Sequence, residues 1–384
     1  MTKLGKALII GAGIGGLTTA IALKERGFEP VVFERAPRDR GHGTTLVLWP
    51  NALRILQRWR LADDIIAMGV RNVTMSVRTM SGKKLYELPL HSLENKYGFP
   101  VVTILRSDLH SLLIDRLGEG HIHWGQEFES AEQDDQQVRA HFTNGDSVEG
   151  ELMIGADGIY SKVRPIITGN VALRDCGYVA YRGMVNHLLP DLPRGEGIEF
   201  WGRGRRFGLF PTGNQGVYWF ATMNAQGSQG RQKDSPYYRK EELLAEFANW
   251  SPSVRLALEQ TEPSSIVRHP ILDLPTIGSL TKGRIAILGD AAHAMTPNLG
   301  QGACQAIEDS GALGDCLQVG NNVGAALLQY EKLRLARVQK IVALSYRMGW
   351  VSQWSNPVLC SIRNTVFSAV PSFIKLIQVG RIID

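Results

Sequence analysis

Gly11-Ala12-Gly13-Ile14-Gly15-Gly16 stands between the short apolar run Ala7 to Ile10 and the helical stretch Leu17 to Lys24. The spacing predicts a strand, a tight turn and a helix. Gly11 permits the turn, Gly13 lets the backbone approach a pyrophosphate, and Gly16 allows close helix packing, with the helix N-terminus facing the anion. Gly15 belongs to the same candidate contact. Pro30 to Phe33 is a second apolar run, ending in Glu34 and Arg35, and Glu34 lies 18 residues beyond Gly16. A carboxylate at that distance accepts hydrogen bonds from a ribose. The pattern predicts an α/β, Rossmann-like nucleotide-binding unit.

A nicotinamide dinucleotide and FAD both satisfy this first fingerprint, and a distant segment separates them. Ile285 to Leu288 reads as a buried strand, followed by Gly289-Asp290-Ala291-Ala292-His293, then Pro297-Asn298-Leu299-Gly300-Gln301-Gly302 and a helix from Ala303. The amides of Gly300, Gln301, Gly302 and Ala303 would open that helix, where partial positive charge concentrates. A reduced flavin is anionic at its pyrimidine edge, so a glycine turn aimed there has a use in an FAD protein. Asp290 can hydrogen-bond the ribityl chain.

Three motifs in order, GAGIGG, Gly155-Ala156-Asp157-Gly158 with Ser161 to Arg164, and Gly289-Asp290 with Pro297 to Gly302, resemble those of the group A flavin monooxygenases. That family includes p-hydroxybenzoate hydroxylase, salicylate hydroxylase, the urate hydroxylases and zeaxanthin epoxidase. The resemblance spans nearly the whole chain. It implies a discontinuous FAD-binding domain over 1–75, 98–175 and 276–345, an inserted antiparallel β-sheet substrate domain over 76–97 and 176–275, and a C-terminal helical region over 346–384. It also implies that Arg106 contacts the flavin, that Leu48 to Ala52 lies beside it, that Pro297 belongs to the flavin turn, and that Asp157 serves FAD and NAD(P)H or is purely structural. The chain has no second GxGxxG, so NADH or NADPH is expected to dock transiently.

From Tyr178 to Met223 short apolar stretches alternate with Gly, Pro and Asn, the pattern of antiparallel strands. Pro211 to Gly216 reads as a turn joining Arg206–Phe210 to Val217–Met223. At a period of two, Arg206, Gly208 and Phe210 share a face, as do Tyr218, Phe220 and Thr222. On a cavity face, Arg206 would offer a cation to a substrate carboxylate or enolate and Tyr218 a phenolic hydrogen bond, which makes them the candidate catalytic pair; otherwise Arg206 is solvated and Tyr218 a core aromatic. The urate-hydroxylating relatives resemble this chain at both positions, but carry an acid where Asn298 stands. Asn is no general base. His293 reads as structural before catalytic.

Composition sets the remaining bounds. The chain has 384 residues, 44% hydrophobic and 21% charged, with a net charge of +5. This is a globular balance without repeats or low-complexity tracts. Basic residues concentrate between 321 and 384, where eight Lys/Arg face only Glu331 and Asp384. No nucleic-acid module accompanies them. A solvated helix face or weak attraction to a membrane surface accounts for such a stretch. Trp350, Trp354, Phe367, Phe373, Leu376 and Ile377, broken by Pro357 and Pro371, predict helices packed over the core, or a greasy tail that admits a lipophilic substrate or rests on a membrane. Cys176, Cys304, Cys316 and Cys360 show neither metal-ligand nor disulfide spacing, which fits a reducing cytoplasm and no metal. The glycines between Lys6 and Lys24 speak against a secretory signal.

The resemblance thus implies a monooxygenase in which NAD(P)H reduces FAD and a flavin hydroperoxide passes one oxygen atom of O2 to an aromatic ring or an isoprenoid-like alkene. Two alternatives stand beside it: a flavin-dependent reductase or dehydrogenase of an isoprenoid, and a flavin-binding protein without turnover.

Overall fold

The computed structural model describes residues 5–38, 44–213, 215–225, 236–318 and 322–384. Its first sheet has six strands in the order Thr281–Lys282, Ile285–Ile287, Leu152–Gly155, Lys6–Ile10, Glu29–Glu34 and Ile122–Trp124, parallel except for the first pair. Ile9 sits opposite Val32 on one side and Ile154 on the other, and Ile154 sits opposite Ala286. A parallel sheet covered on both faces needs nearly continuous apolar strands. Ala7 to Ile10, Leu152 to Ile154 and Ile285 to Ile287 are all buried. The chain leaves Lys6–Ile10 toward Glu29–Glu34 and returns on the opposite side through Leu152–Gly155. The carboxyl ends of the three central strands therefore open at a topological switch point, where α/β sheets bind ligands.

The glycine-turn helix Ile14–Glu25 and the helix Gly302–Cys316 pack directly on each other. A Cβ on Gly15 would lie 3.3 Å from the Ala306 Cβ and 2.7 Å from a Leu288 methyl. One turn further, the Ser310 hydroxyl lies 2.8 Å from that of Thr18 and 2.9 Å from that of Thr19. A Cβ on Gly314 would lie 3.2 Å from that of Ala22. The 30-residue helix Val323–Ser352 covers the second of these helices.

The second sheet has seven strands: Val267–Asp273, Arg174–Val185, Val217–Asn224, Arg205–Pro211, Glu196–Trp201, Thr74–Thr79 and Lys84–Pro89. It is antiparallel except where Glu196–Trp201 runs parallel to Thr74–Thr79. Phe207, Leu209, Val217, Trp219 and Ala221 on one face pack with Leu243, Phe247, Val254 and Leu258 of two covering helices. The opposite face carries Tyr178, Arg206, Phe220 and Thr222 toward the first sheet's helices. The hairpin pairs Arg206 with Thr222, Gly208 with Phe220 and Phe210 with Tyr218, the face expected from the alternation. Residue 214 of its turn lies outside the described residues.

Three expected boundaries fall inside elements. The break at 75/76 cuts Thr74–Thr79, that at 175/176 cuts Arg174–Val185, and that at 345/346 cuts Val323–Ser352. Pairing partners and helix packing decide where these elements end, and local composition does not record them.

A methyl on Gly16 would lie 1.8 Å from the Gly11 carbonyl oxygen. Gly16→Ala should therefore lower the unfolding free energy by about 1–3 kcal/mol through overpacking, read as a shift of the urea midpoint at unchanged slope.

Candidate active site

All three motifs follow the ends of adjacent parallel strands, and contacts join them. Gly11 has φ +106°, open to glycine alone without strain, and a Cβ there would lie 2.4 Å from the Ala156 oxygen. Its amide donates to the Phe33 carbonyl. The Ala12 and Ala36 amides donate to the two carboxylate oxygens of Glu34, at 3.0 and 2.9 Å, so this acid fixes the turn and keeps lone pairs for a further donor. Arg35 beside it is exposed. His110, which the sequence reading did not select, donates from Nε2 to the Ala12 carbonyl at 2.7 Å. Asp157 accepts the Lys162 and Val163 amides, and burial pushes its carboxyl up against those bonds. Arg164 donates to the Ala291 carbonyl and ties this segment to the third motif.

The later turn is a short 3-10 segment, Pro297–Leu299, then Gly300 at φ +61° and the helix Gly302–Cys316. The Gly300 amide donates to Pro297 within the turn, so it is not aimed outward as expected. The amides of Gln301, Gly302 and Ala303 meet no acceptor among the described residues, as the first turn of a helix leaves them. Trp49 packs here, with its indole nitrogen 3.3 Å from where a Gly300 Cβ would stand, and Asn51 donates to the Gln301 side chain. Asp290 is solvent-accessible yet deep in the fold. Burial pushes its carboxyl up, while His293 and Arg106 pull it down, which puts Arg106 and Asp290 around one space.

This space fits a flavin dinucleotide. A Cβ on Gly13 or on Gly302 would meet nothing within 4 Å, whereas Gly11, Gly15 and Gly16 are crowded. Two helix N-termini with free amides thus border one cleft, with Glu34 near the first and Asp290 and Arg106 near the second.

Beneath the later turn lies a buried charge network that local sequence gave no means to find. Asp309 accepts from His293 Nε2 and from Arg334 Nε, each at 2.6 Å, and from the Gly289 amide at 3.0 Å. Glu308 accepts from Arg334, Arg337 and Asn51. His293 is therefore a scaffold residue. Its Nδ1 is buried without a partner.

On the sheet side, Arg206 is 3% exposed and donates from each of its three guanidinium nitrogens, with two of its five N–H groups left over. It donates to Glu199 at 3.0 Å, to the Asn298 oxygen at 2.6 Å, and to Thr222 and Gln353. The Asn298 amide nitrogen donates to Tyr178, Thr296 and the Ser345 carbonyl. A Cβ on Gly349 would lie 2.4 Å from that nitrogen, so the long helix clamps the side chain. Tyr218 is buried on the same face but opposite Phe210, four residues along the strand from Thr222, the partner of Arg206. That is about 13 Å. The structure does not bring Arg206 and Tyr218 into contact. Glu199 was missed, although the period of two that selected Arg206 also places Glu199 and Trp201 on this face.

Burial alone would raise the Asp309 carboxyl, but His293 and Arg334 hold it at about 2. Its contribution to stability is complete above about pH 4 and is lost as pH falls toward 2. Arg334→Leu should cost about 3–5 kcal/mol by leaving buried carboxylates uncompensated. Asp309→Asn should flatten the acid limb of a stability-against-pH curve measured in urea.

A family model described as an FAD binding domain matches residues 5–345. The chain is 33% identical over 365 residues to an aurachin C monooxygenase/isomerase of Stigmatella aurantiaca, covering 95% of this chain and 94% of that one. It is 35% identical to a 3-amino-4-hydroxybenzoate 2-monooxygenase of Streptomyces cremeus, covering 89% and 86%. The crystal structure of Klebsiella pneumoniae HpxO with FAD and uric acid superposes with a TM-score of 0.92 at 28% identity, over 99% of this chain and 96% of that one. These likenesses favour the monooxygenase over an isoprenoid reductase. With its cleft between two glycine turns, the chain belongs to the FAD-binding-domain family and is an FAD-dependent monooxygenase of the aromatic-hydroxylase kind.

Proposed function

We propose that this protein hydroxylates a small aromatic ring that binds uncharged, held between the seven-stranded sheet and the flavin turn by Arg206 and Tyr218. The observation that carries the reading is the hydrogen bond from Arg206 to Asn298, which joins the sheet face to the turn holding Gly300 to Gly302. Bound FAD, reduced by NAD(P)H, supplies the electrons that place one atom of O2 on the ring and the other in water.

The residues around the ring bind, orient and keep their protons. Glu199 balances the charge of Arg206, so its remaining N–H groups serve as hydrogen-bond donors to a ring oxygen more than as a counter-ion to a carboxylate. Burial pushes the phenols of Tyr178 and Tyr218 up, so both stay protonated and able to donate. Asn298 fixes Arg206 and takes no proton. Substrates that need an acid in that slot to be deprotonated, as urate does in the resemblance described above, fit this cavity less well than neutral phenols and quinolones. Gly11, Gly13, Gly15, Gly16, Glu34, Arg35 and Asp157 are assigned to the nucleotide end, and Arg106 to the ring end beside Asp290. Asp290, Pro297, Gly300, Gln301, Gly302 and Ala303 are assigned to the ribityl and ring end.

The test is NAD(P)H oxidation by the FAD-loaded protein with neutral phenols and quinolones set against benzoates. The expected result is oxygen-dependent stimulation by the neutral rings and a product heavier by one oxygen atom. Arg206→Leu should lower kcat/KM about 100-fold and Tyr218→Phe about 10-fold, the range for losing a charged and a neutral hydrogen bond. Glu199→Gln should move preference toward benzoates. Substrate reduction that proceeds without oxygen would overturn the reading.

A further inference from the structure

The C-terminal helices turn one apolar face to solvent. Trp350, Phe373 and Ile377, expected either to pack over the core or to form a greasy tail, are 62%, 63% and 54% exposed. Of the fourteen exposed large hydrophobic residues among the described residues, eight lie between 350 and 377. On the helix Pro357–Ala369 the exposed Val358, Ile362 and Val366 recur every four residues and form one stripe. On the helix Ser372–Ile383, Phe373 and Ile377 are exposed four residues apart and form a second short stripe.

These helices are well anchored by their other faces. Phe367 stacks on Tyr86 and meets Trp201 edge-on. Arg363 donates to the Ser352 and Gly202 carbonyls, and Lys375 to the Phe367 carbonyl. The two stripes are a built surface.

Charge decides what covers it. Of the eight Lys/Arg between Glu331 and Asp384, Arg334, Arg363 and Lys375 are buried and Arg337 pairs with Glu308, which leaves Lys332, Lys340, Arg347 and Arg381 exposed with no acid among them in sequence. Exposed Arg347 lies one turn before Trp350, and exposed Arg381 one turn after Ile377, so the stripes are flanked by cations. A two-fold contact between copies sets a patch against itself, which would bring these arginines together with Asp384, already paired with Lys96, as the acid beside them. An anionic lipid surface complements the patch. The two helices, 13 and 12 residues long, measure about 20 and 18 Å. Each is too short for a bilayer core of about 30 Å, and they are bent by 94° to one another.

We propose that this face rests in the interface of an anionic phospholipid bilayer, with the stripes in the acyl boundary and Arg347 and Arg381 among the headgroups. The inference goes beyond the hydroxylase reading and does not depend on it.

The test is cosedimentation of the FAD-loaded protein with vesicles of phosphatidylcholine alone or mixed with phosphatidylglycerol. The expected result is binding to the mixed vesicles at least tenfold tighter than to phosphatidylcholine. Phe373→Ser with Ile377→Ser should weaken it tenfold or more. Arg347→Gln and Arg381→Gln should weaken it about fivefold each, equivalent to ~1 kcal/mol per charge, with bound-flavin absorbance unchanged. Should the apolar pair fail to fold, the arginine variants carry the test. Binding to neither vesicle, binding indifferent to the arginines, or a solution dimer dissolved by the apolar pair would overturn the proposal.

Discussion

The structure depends on the close approach of two helices that begin far apart in sequence. Gly15 and Ala306 leave room for the contact, and the hydroxyls of Thr18, Thr19 and Ser310 meet one turn further along. Any larger side chain at Gly15 would push the second helix away, and with it the turn from Pro297 to Gly302. Because both helices start at the open ends of parallel strands, their unpaired amides border one cleft. Binding of an extended dinucleotide with an anionic edge at each end follows from that arrangement.

The network beneath the later turn holds the arrangement in place. Asp309 joins the Gly289 amide to His293 and Arg334, so the strand end, the Asp290 segment and the long helix share one carboxylate. Such buried charges are costly unless each is paired and hydrogen-bonded. Here Arg334 and Arg337 serve Glu308 as well. The same long helix clamps Asn298 through Gly349, and Asn298 holds Arg206. One helix thus links the position of the Pro297 to Gly302 turn to that of the seven-stranded sheet.

Much of this was legible in the sequence, for stateable reasons. Glycines at Gly11 and Gly16 are demanded by backbone geometry that no other residue satisfies, so the turn shows in the letters themselves. The hairpin register of Arg206 with Thr222 follows from alternation. Partners distant in sequence were not legible. His110, Glu199, Arg334 and Gln353 touch the site through side chains whose types are common on any helix or strand, and nothing nearby marks them. Gly300 reads as an open amide until its bond to Pro297 is seen. Which C-terminal apolar side chains pack, as Phe367 and Leu376 do, and which face solvent, as Trp350 and Phe373 do, was not legible because hydrophobicity alone does not say which face has a neighbour.

In the proposed assignment one flavin nucleotide is held at both ends, by Gly13 and by Gly302. Calorimetric titration of FAD and of ADP into flavin-free protein tests it with Gly13→Val and Gly302→Val, whose added carbons meet no protein atom at the Cβ position. Gly13→Val is expected to weaken both ligands, whereas Gly302→Val is expected to weaken FAD and spare ADP. Unchanged FAD affinity in Gly302→Val would contradict the assignment.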